Sequence, residues 1–245
     1  MRTVDVCNLG KRFDGRWVFR SVSFRIAAGS FALLIGANGS GKTVLARHLN
    51  GLLLPDEGEV LLDGVSVSSD LAGSRRQIGM VFQDPDSQII GQTVFEDVAF
   101  GPRAQRLSED EVAERVAHAL ALTGLSGLET AVPPTLSGGQ RRRLALAGVL
   151  AMRSACIVLD EPFTFLDHGA CVELLRYLLE LKRLGHSIIM ITHDLDKVLG
   201  EADQVIALAD GSLAAEGSPA DILDQLPAYG IRRPHGELEQ LTWLR

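Results

Sequence analysis

Eight consecutive residues, Gly36-Ala37-Asn38-Gly39-Ser40-Gly41-Lys42-Thr43, have the composition of a phosphate cradle. Glycines let the backbone curl tightly enough for successive N–H groups to converge on phosphate oxygens. Lys42 can reach the β- and γ-phosphates of a nucleoside triphosphate, and the Thr43 hydroxyl can ligate Mg²⁺. An ordinary glycine-rich turn has a similar composition, so the flanks decide. Phe31 to Ile35 is a short, apolar, β-favouring run, and Val44 to Leu49 has helical spacing. A strand that becomes a helix through this loop brings the partial positive charge of the helix N-terminus onto the anion. The expectation is a nucleoside triphosphate site.

Other residues could complete that chemistry. Cys156 to Leu159 is an apolar run ending in Asp160 and Glu161. A buried strand delivering Asp160 to its carboxyl end would let it hold Mg²⁺ through water. Glu161, one residue on, could orient or deprotonate the attacking water. A strand ending in solvated acids is the plainer alternative, and the independent phosphate loop favours the chemical one. His193 follows the apolar run Ser187 to Thr192, and Gln83 follows Met80-Val81-Phe82. Each could reach a γ-phosphate oxygen or be a polar loop residue, and neither decides the matter alone. Leu136-Ser137-Gly138-Gly139-Gln140 is a second small-residue loop ahead of a helix starting near Gln140, another anion-ready N-terminus.

These side chains need a scaffold. The first third of the chain is strand-rich: Thr3 to Val6 and Ser21 to Ile26 alternate, and Glu59 to Leu62 follows a turn at Pro55 to Gly58. Gln77 to Phe82 is a further strand. Ser108-Glu109-Asp110-Glu111 is a capping-box start for a helix that puts Val112, Val116, Ala119 and Leu120 on one face, to about Leu122. Residues 87–150 read as a helical lobe inserted into an α/β core. Alternating strand and helix signals from Cys156 to Leu208 predict a parallel sheet. A short helix over Pro219 to Gln225 and a tail over 231–245 end the chain, which is expected to form one domain over 1–230.

Composition narrows the class. Of 245 residues 46% are hydrophobic and only 5% aromatic, which suits an aliphatic α/β protein better than a β-sandwich. A net charge of −7 argues against wrapping nucleic acid. Cys7, Cys156 and Cys171 have no metal-ligand spacing and imply no disulfide framework. The start, Met1 to Asp5, lacks the apolar core of a signal peptide, and the run from Leu144 to Met152 stops well short of the roughly 20 residues a membrane span needs. The expected location is the cytoplasm, unless a partner holds the protein at a membrane.

Taken in order, these motifs resemble those of the ABC-type ATPases over nearly the whole chain. Gly36 to Thr43 matches the Walker A loop, Gln83 the Q-loop, and Leu136 to Gln140 the signature. Ile157 to Asp160 with Glu161 matches Walker B, Leu166-Asp167 the D-loop, and His193 the switch histidine. Phe13 falls where the family stacks an aromatic ring on adenine. The resemblance implies a P-loop NTPase core with an N-terminal antiparallel β subdomain and the helical lobe. It implies ATP and Mg²⁺ as cofactors, with Gln83 joining Thr43 and Asp160 at the metal. It also implies head-to-tail pairing of two ATPase subunits, identical or not, so that Ser137 to Gln140 of one closes over the ATP of the other. The run from Phe82 to Pro102 is similar to that of energy-coupling factor transporter ATPases, as are His48 to Leu52 and Ala147 to Met152. That likeness implies a transmembrane coupling subunit, a substrate-capture membrane subunit, and a peripheral position on the cytoplasmic membrane face. The cargo would be a vitamin or a transition-metal ion, with Gln83 to Pro102 as the docking surface. One departure is Phe163-Thr164-Phe165, where the family has small residues before the D-loop. Tolerated repacking is the favoured expectation; a bias towards a non-identical partner is the other. A soluble ABC ATPase acting on nucleic acid or ribosomes is the main competing function. An assembly-only subunit is disfavoured by Glu161 and His193.

Overall fold

The computed structural model describes residues 2–164 and 166–244. Strands β1 (Val4–Phe13) and β2 (Arg16–Ile26) form a hairpin through Asp14-Gly15, and β3 (Phe31–Gly36) leads into helix α1 (Lys42–Leu49). Next come β4 (Glu57–Leu62), β5 (Val65–Ser66), α2 (Leu71–Gln77) and β6 (Ile78–Val81). The lobe holds α3 (Val94–Ala104), α4 (Glu109–Leu122) and α5 (Gly138–Ala151). The chain then returns through β7 (Cys156–Asp160), α6 (His168–Arg183), β8 (Ser187–Ile191) and α7 (Leu195–Val198). It closes with β9 (Gln204–Ala209), β10 (Ser212–Gly217) and α8 (Pro219–Ile222).

Two sheets result. One is antiparallel with order β2-β1-β4-β5, and the other has order β10-β9-β3-β8-β7-β6. Within the second, β9-β3-β8-β7-β6 are parallel and β10 is an antiparallel edge. The parallel strands are mostly apolar because both faces are covered, with polar residues at their ends, such as Asp160 in β7 and Ser187 in β8. All residues of β6, β7 and β8 are buried. One face packs on α5, α6 and the C-terminal segment; the other packs on α1 and the antiparallel sheet. This is the α/β core with an antiparallel subdomain that the resemblance implies.

The lobe has its own apolar centre, in which Val98, Val112, Val116, Leu120 and Leu144 are fully or almost fully buried. Each such side chain contributes about 1.5–3 kcal/mol through removal from water. The expected capping box of α4 is present, with Ser108 and Glu111 exchanging hydrogen bonds. α5 starts two residues before the expected Gln140, because Ser137 caps it and Gly138 and Gly139 form its first turn. Beyond α8 the chain continues as a 3-10 turn over Leu223–Tyr229. Residues 231–244 then lie against the core. Leu241 is 2% exposed, and the Trp243 N–H donates to the Lys197 carbonyl at 3.1 Å.

Candidate nucleotide site

Strand β3 delivers the phosphate loop at its carboxyl end. Gly36 is required there for space, since a Cβ would collide with the Leu208 carbonyl oxygen and the Ser40 hydroxyl. Gly41 caps α1 without supplying a side-chain acceptor, so the first-turn N–H groups stay free for an anion. Lys42 is 8% exposed, and its ammonium donates to the carbonyls of Gly36 at 2.9 Å and Ala37 at 3.0 Å. Burial lowers its pKa, while Glu161 and Asp160 oppose the shift. The charge is thus held inside the loop, where a phosphate would take over its partners.

Asp160 ends β7 and is 2% exposed. Burial raises its pKa, and the Thr43 hydroxyl pulls the other way. Its Oδ1 is buried without a hydrogen-bond partner. An unsatisfied buried polar atom costs about 1–3 kcal/mol, which a cation and its water would relieve. A hydroxyl and a carboxylate are hard oxygen donors, so the pair fits Mg²⁺. Among the described residues no group of three or more His, Cys, Asp or Glu could hold a metal ion.

Glu161 turns out of the strand with φ 48°, a conformation that costs a non-glycine residue about 1–3 kcal/mol. It is fixed there from both ends. Its N–H donates to the Ile191 carbonyl at 2.9 Å, and its Oε2 lies 2.9 Å from His193 Nδ1. That hydrogen bond raises the His193 pKa, partly against desolvation. Strands β7 and β8 are paired neighbours, so Glu161 and His193 leave the sheet side by side.

Lys42, Thr43, Gln83, Asp160 and Glu161 line one cleft of about 250 Å³ together with Asn38, Gly39 and Gly41. His193 joins through Glu161 and borders an adjoining cleft with Gly36, Ala37 and the segment Gly230 to His235. Ser40 lines a third, beside Trp17 and Tyr229. Two expected participants stand apart. Phe13 is 45% exposed at the tip of the β1–β2 hairpin, 5.4 Å under the Lys11 ammonium, and Val18 rather than Phe13 lines the catalytic cleft. The loop Ser137-Gly138-Gly139-Gln140 does not line it either. There Ser137 Oγ accepts from the Gln140 N–H at 3.2 Å, and Gln140 Oε1 accepts from the Ser137 N–H at 2.8 Å.

Three features escaped the sequence reading. Arg142, 4% exposed, donates to the Gln83 carbonyl at 2.5 Å and so ties α5 to the loop bearing Gln83. Three arginines in a row on a helix gave no hint that the middle one is buried. Trp17, in an alternating strand, and the segment from Ala228 to His235 both flank the phosphate loop. Phe163 packs inward, in line with the favoured expectation of repacking: it is 3% exposed, lies in the main core, and has the Lys197 ammonium 5.5 Å from its ring. Local repacking accounts for it. Phe165 lies outside the described residues.

A strand-loop-helix phosphate cradle beside a strand ending in two carboxylates defines a P-loop nucleotide hydrolase. Comparison with known proteins narrows the class. A family model described as ABC transporter matches residues 19–164. A putative ABC transporter ATP-binding protein of Halobacterium salinarum is 46% identical over 231 residues, covering 94% of this chain and 100% of that one. An energy-coupling factor transporter ATP-binding protein, EcfA, of Methanocaldococcus jannaschii is 42% identical over 234 residues, 94% of this chain and 83% of its own. Among solved structures, cbiO1 of Clostridium perfringens, described as part of the ABC transporter complex cbiONQ, superposes with a TM-score of 0.82 at 35% identity. That match covers 91% of this chain and 90% of cbiO1. The chain belongs to the ABC transporter family, as an ATP-binding, ATP-hydrolysing subunit of the energy-coupling factor type.

Proposed function

We propose that this chain drives an energy-coupling factor importer that takes up a micronutrient, a vitamin or a transition-metal ion, through separate membrane subunits. The observation that carries the reading is the pairing of a complete hydrolytic cleft with an unattached second phosphate loop. Asn38, Gly39, Gly41, Lys42, Thr43, Gln83, Asp160 and Glu161 surround one cleft, and Ser137 to Gln140 lie outside it. A second cassette, placed head to tail, would bring that loop over the nucleotide. ATP then stabilises the closed pair by its higher affinity for that state.

Within the site, Lys42 and the α1 N-terminus bind the phosphates, and Phe13 stacks on the adenine once the nucleotide is in place. Thr43, Asp160 and Gln83 would hold Mg²⁺, which would supply charge neutralisation for the triphosphate. Glu161 accepts the proton of the attacking water, and His193 orients Glu161 while facing the γ-phosphate. The import assignment rests on family likeness alone; the exposed apolar residues Ile90 at 63% and Phe100 at 59% support docking on a partner. Ile90 borders a cleft with Asp86, Ile89, Gly91, Pro133 and Arg141, a surface suited to a helix of a transmembrane coupling subunit. No helix among the described residues is long and apolar enough to cross a membrane. The family likeness supports a peripheral position on the cytoplasmic face. The test is affinity capture of the tagged chain from solubilised membranes, with its associated subunits identified by mass spectrometry. The reading requires a coupling subunit and a small membrane-embedded capture subunit in stoichiometric amount. Recovery of the chain with nucleic acid or ribosomes in their place would refute it.

A further inference from the structure

A cleft of about 420 Å³ lies between the helical lobe and α6, apart from the phosphate loop. Its walls are apolar, with Val81, Leu146, Leu159 and Leu174 among the lining residues. Three polar side chains interrupt them: Arg142 and Arg143 from α5, and Tyr177 from α6. Each carries a buried atom with no hydrogen-bond partner among the described residues, namely Arg142 Nη1, Arg143 Nε and Tyr177 Oη. Both guanidinium groups are already anchored at other nitrogens, Arg142 on the Gln83 carbonyl and Arg143 on the Thr123 carbonyl at 3.2 Å. Arg142 Nη1 and Arg143 Nε are therefore held in place with no acceptor among the described residues.

The chemistry of these groups selects a ligand. Arginine only donates, and burial pushes the Tyr177 phenol far above its ordinary pKa, which keeps it a donor as well. Three guanidinium groups (Arg142, Arg143 and Arg176) line the cleft against a single carboxylate, Glu173. The volume falls within the roughly 300–1,000 Å³ typical of small-molecule sites. We propose that this cleft binds a small amphiphilic monoanion, a medium-chain carboxylate, whose head group meets Arg142, Arg143 and Tyr177 while its tail fills the apolar wall. Because Arg142 also holds the Gln83 carbonyl, occupancy of this cleft is linked to the loop beside the nucleotide.

Calorimetric titration of the full chain with sodium decanoate tests the assignment, with decanol and decyltrimethylammonium as head-group controls. Decanoate binds saturably, and the neutral and cationic analogues bind at least about tenfold more weakly, the value of one charge-assisted hydrogen bond. Tyr177→Trp, which fills the cleft, abolishes decanoate binding while a fluorescent ATP analogue still binds. Arg143→Gln, which keeps the packing, weakens decanoate about tenfold and leaves decanol unchanged. The proposal is overturned by an absence of saturable decanoate binding, by equal affinity for decanol, or by unchanged affinity in Arg143→Gln.

Discussion

Glu161 and His193 share a hydrogen bond of 2.9 Å, so the charge on the imidazole depends on the carboxylate. The bond raises the His193 pKa above its ordinary 6.5. A raised value in the folded state means that the pair stabilises the fold fully below pH 6.5, and that this contribution is lost as pH rises through the folded pKa. An NMR titration will find His193 titrating above 6.5 in the native protein and nearer 6.5 in Glu161→Gln. The same substitution leaves ATP binding intact and lowers hydrolysis by roughly a hundredfold or more, the usual value of a general base. A hydrolysis rate that survives Glu161→Gln would remove Glu161 from the mechanism. Asp160 behaves in the opposite sense to an ordinary paired carboxylate. Burial raises its pKa, so its charged form weakens the fold as pH rises through that value. Asp160→Asn therefore raises the melting temperature of the nucleotide-free protein at pH 8 while abolishing hydrolysis. A lower melting temperature would contradict the burial argument.

Two helix starts use the same device for different ends. Ser108 and Ser137 each form a capping box, with Glu111 and Gln140 respectively. Replacing either serine by alanine costs about 1 kcal/mol of stability, measurable by urea denaturation. Only Ser137→Ala is expected also to reduce ATP hydrolysis, because in the proposed head-to-tail pair only that helix start would face the partner's nucleotide. Equal activity in the two variants would reduce Ser137 to a cap. Elements whose chemistry is local were legible from the chain. The β3–α1 loop, the β7 strand with its carboxylates and the α4 capping box all stand where the residues put them. The length of β1 was missed, because register shifts at Leu9 and Lys11 break the alternation that marks a strand. So was β10, although Asp210-Gly211 marks its hairpin as Asp14-Gly15 marks the first. Both residues of each pair have positive φ, the requirement of a type I′ turn. Arg142 was illegible for another reason: its burial depends on α5 packing over the Gln83 loop, a contact 59 residues apart in sequence.

The whole molecule is asymmetric in what it offers to partners. On one side, Ile90 and its neighbours from Asp86 to Gly91, with Pro133 and Arg141, form the proposed docking face. Ile90→Asp will uncouple transport from hydrolysis in reconstituted vesicles, with ATP affinity unchanged. Uptake at the native rate in that variant would exclude this face. On another side lies the candidate nucleotide cleft, where the proposed second cassette would pair. With Phe163 packed in the core, nothing at that residue opposes pairing with an identical copy. The most direct test mixes two impaired variants of the purified chain, Lys42→Ala and Ser137→Ala. In a head-to-tail pair, the phosphate loop of the Ser137→Ala copy meets the intact serine loop of the Lys42→Ala copy, and one whole site re-forms. The account predicts that the mixture hydrolyses ATP well above the average of its two components. A mixture no faster than that average would contradict it.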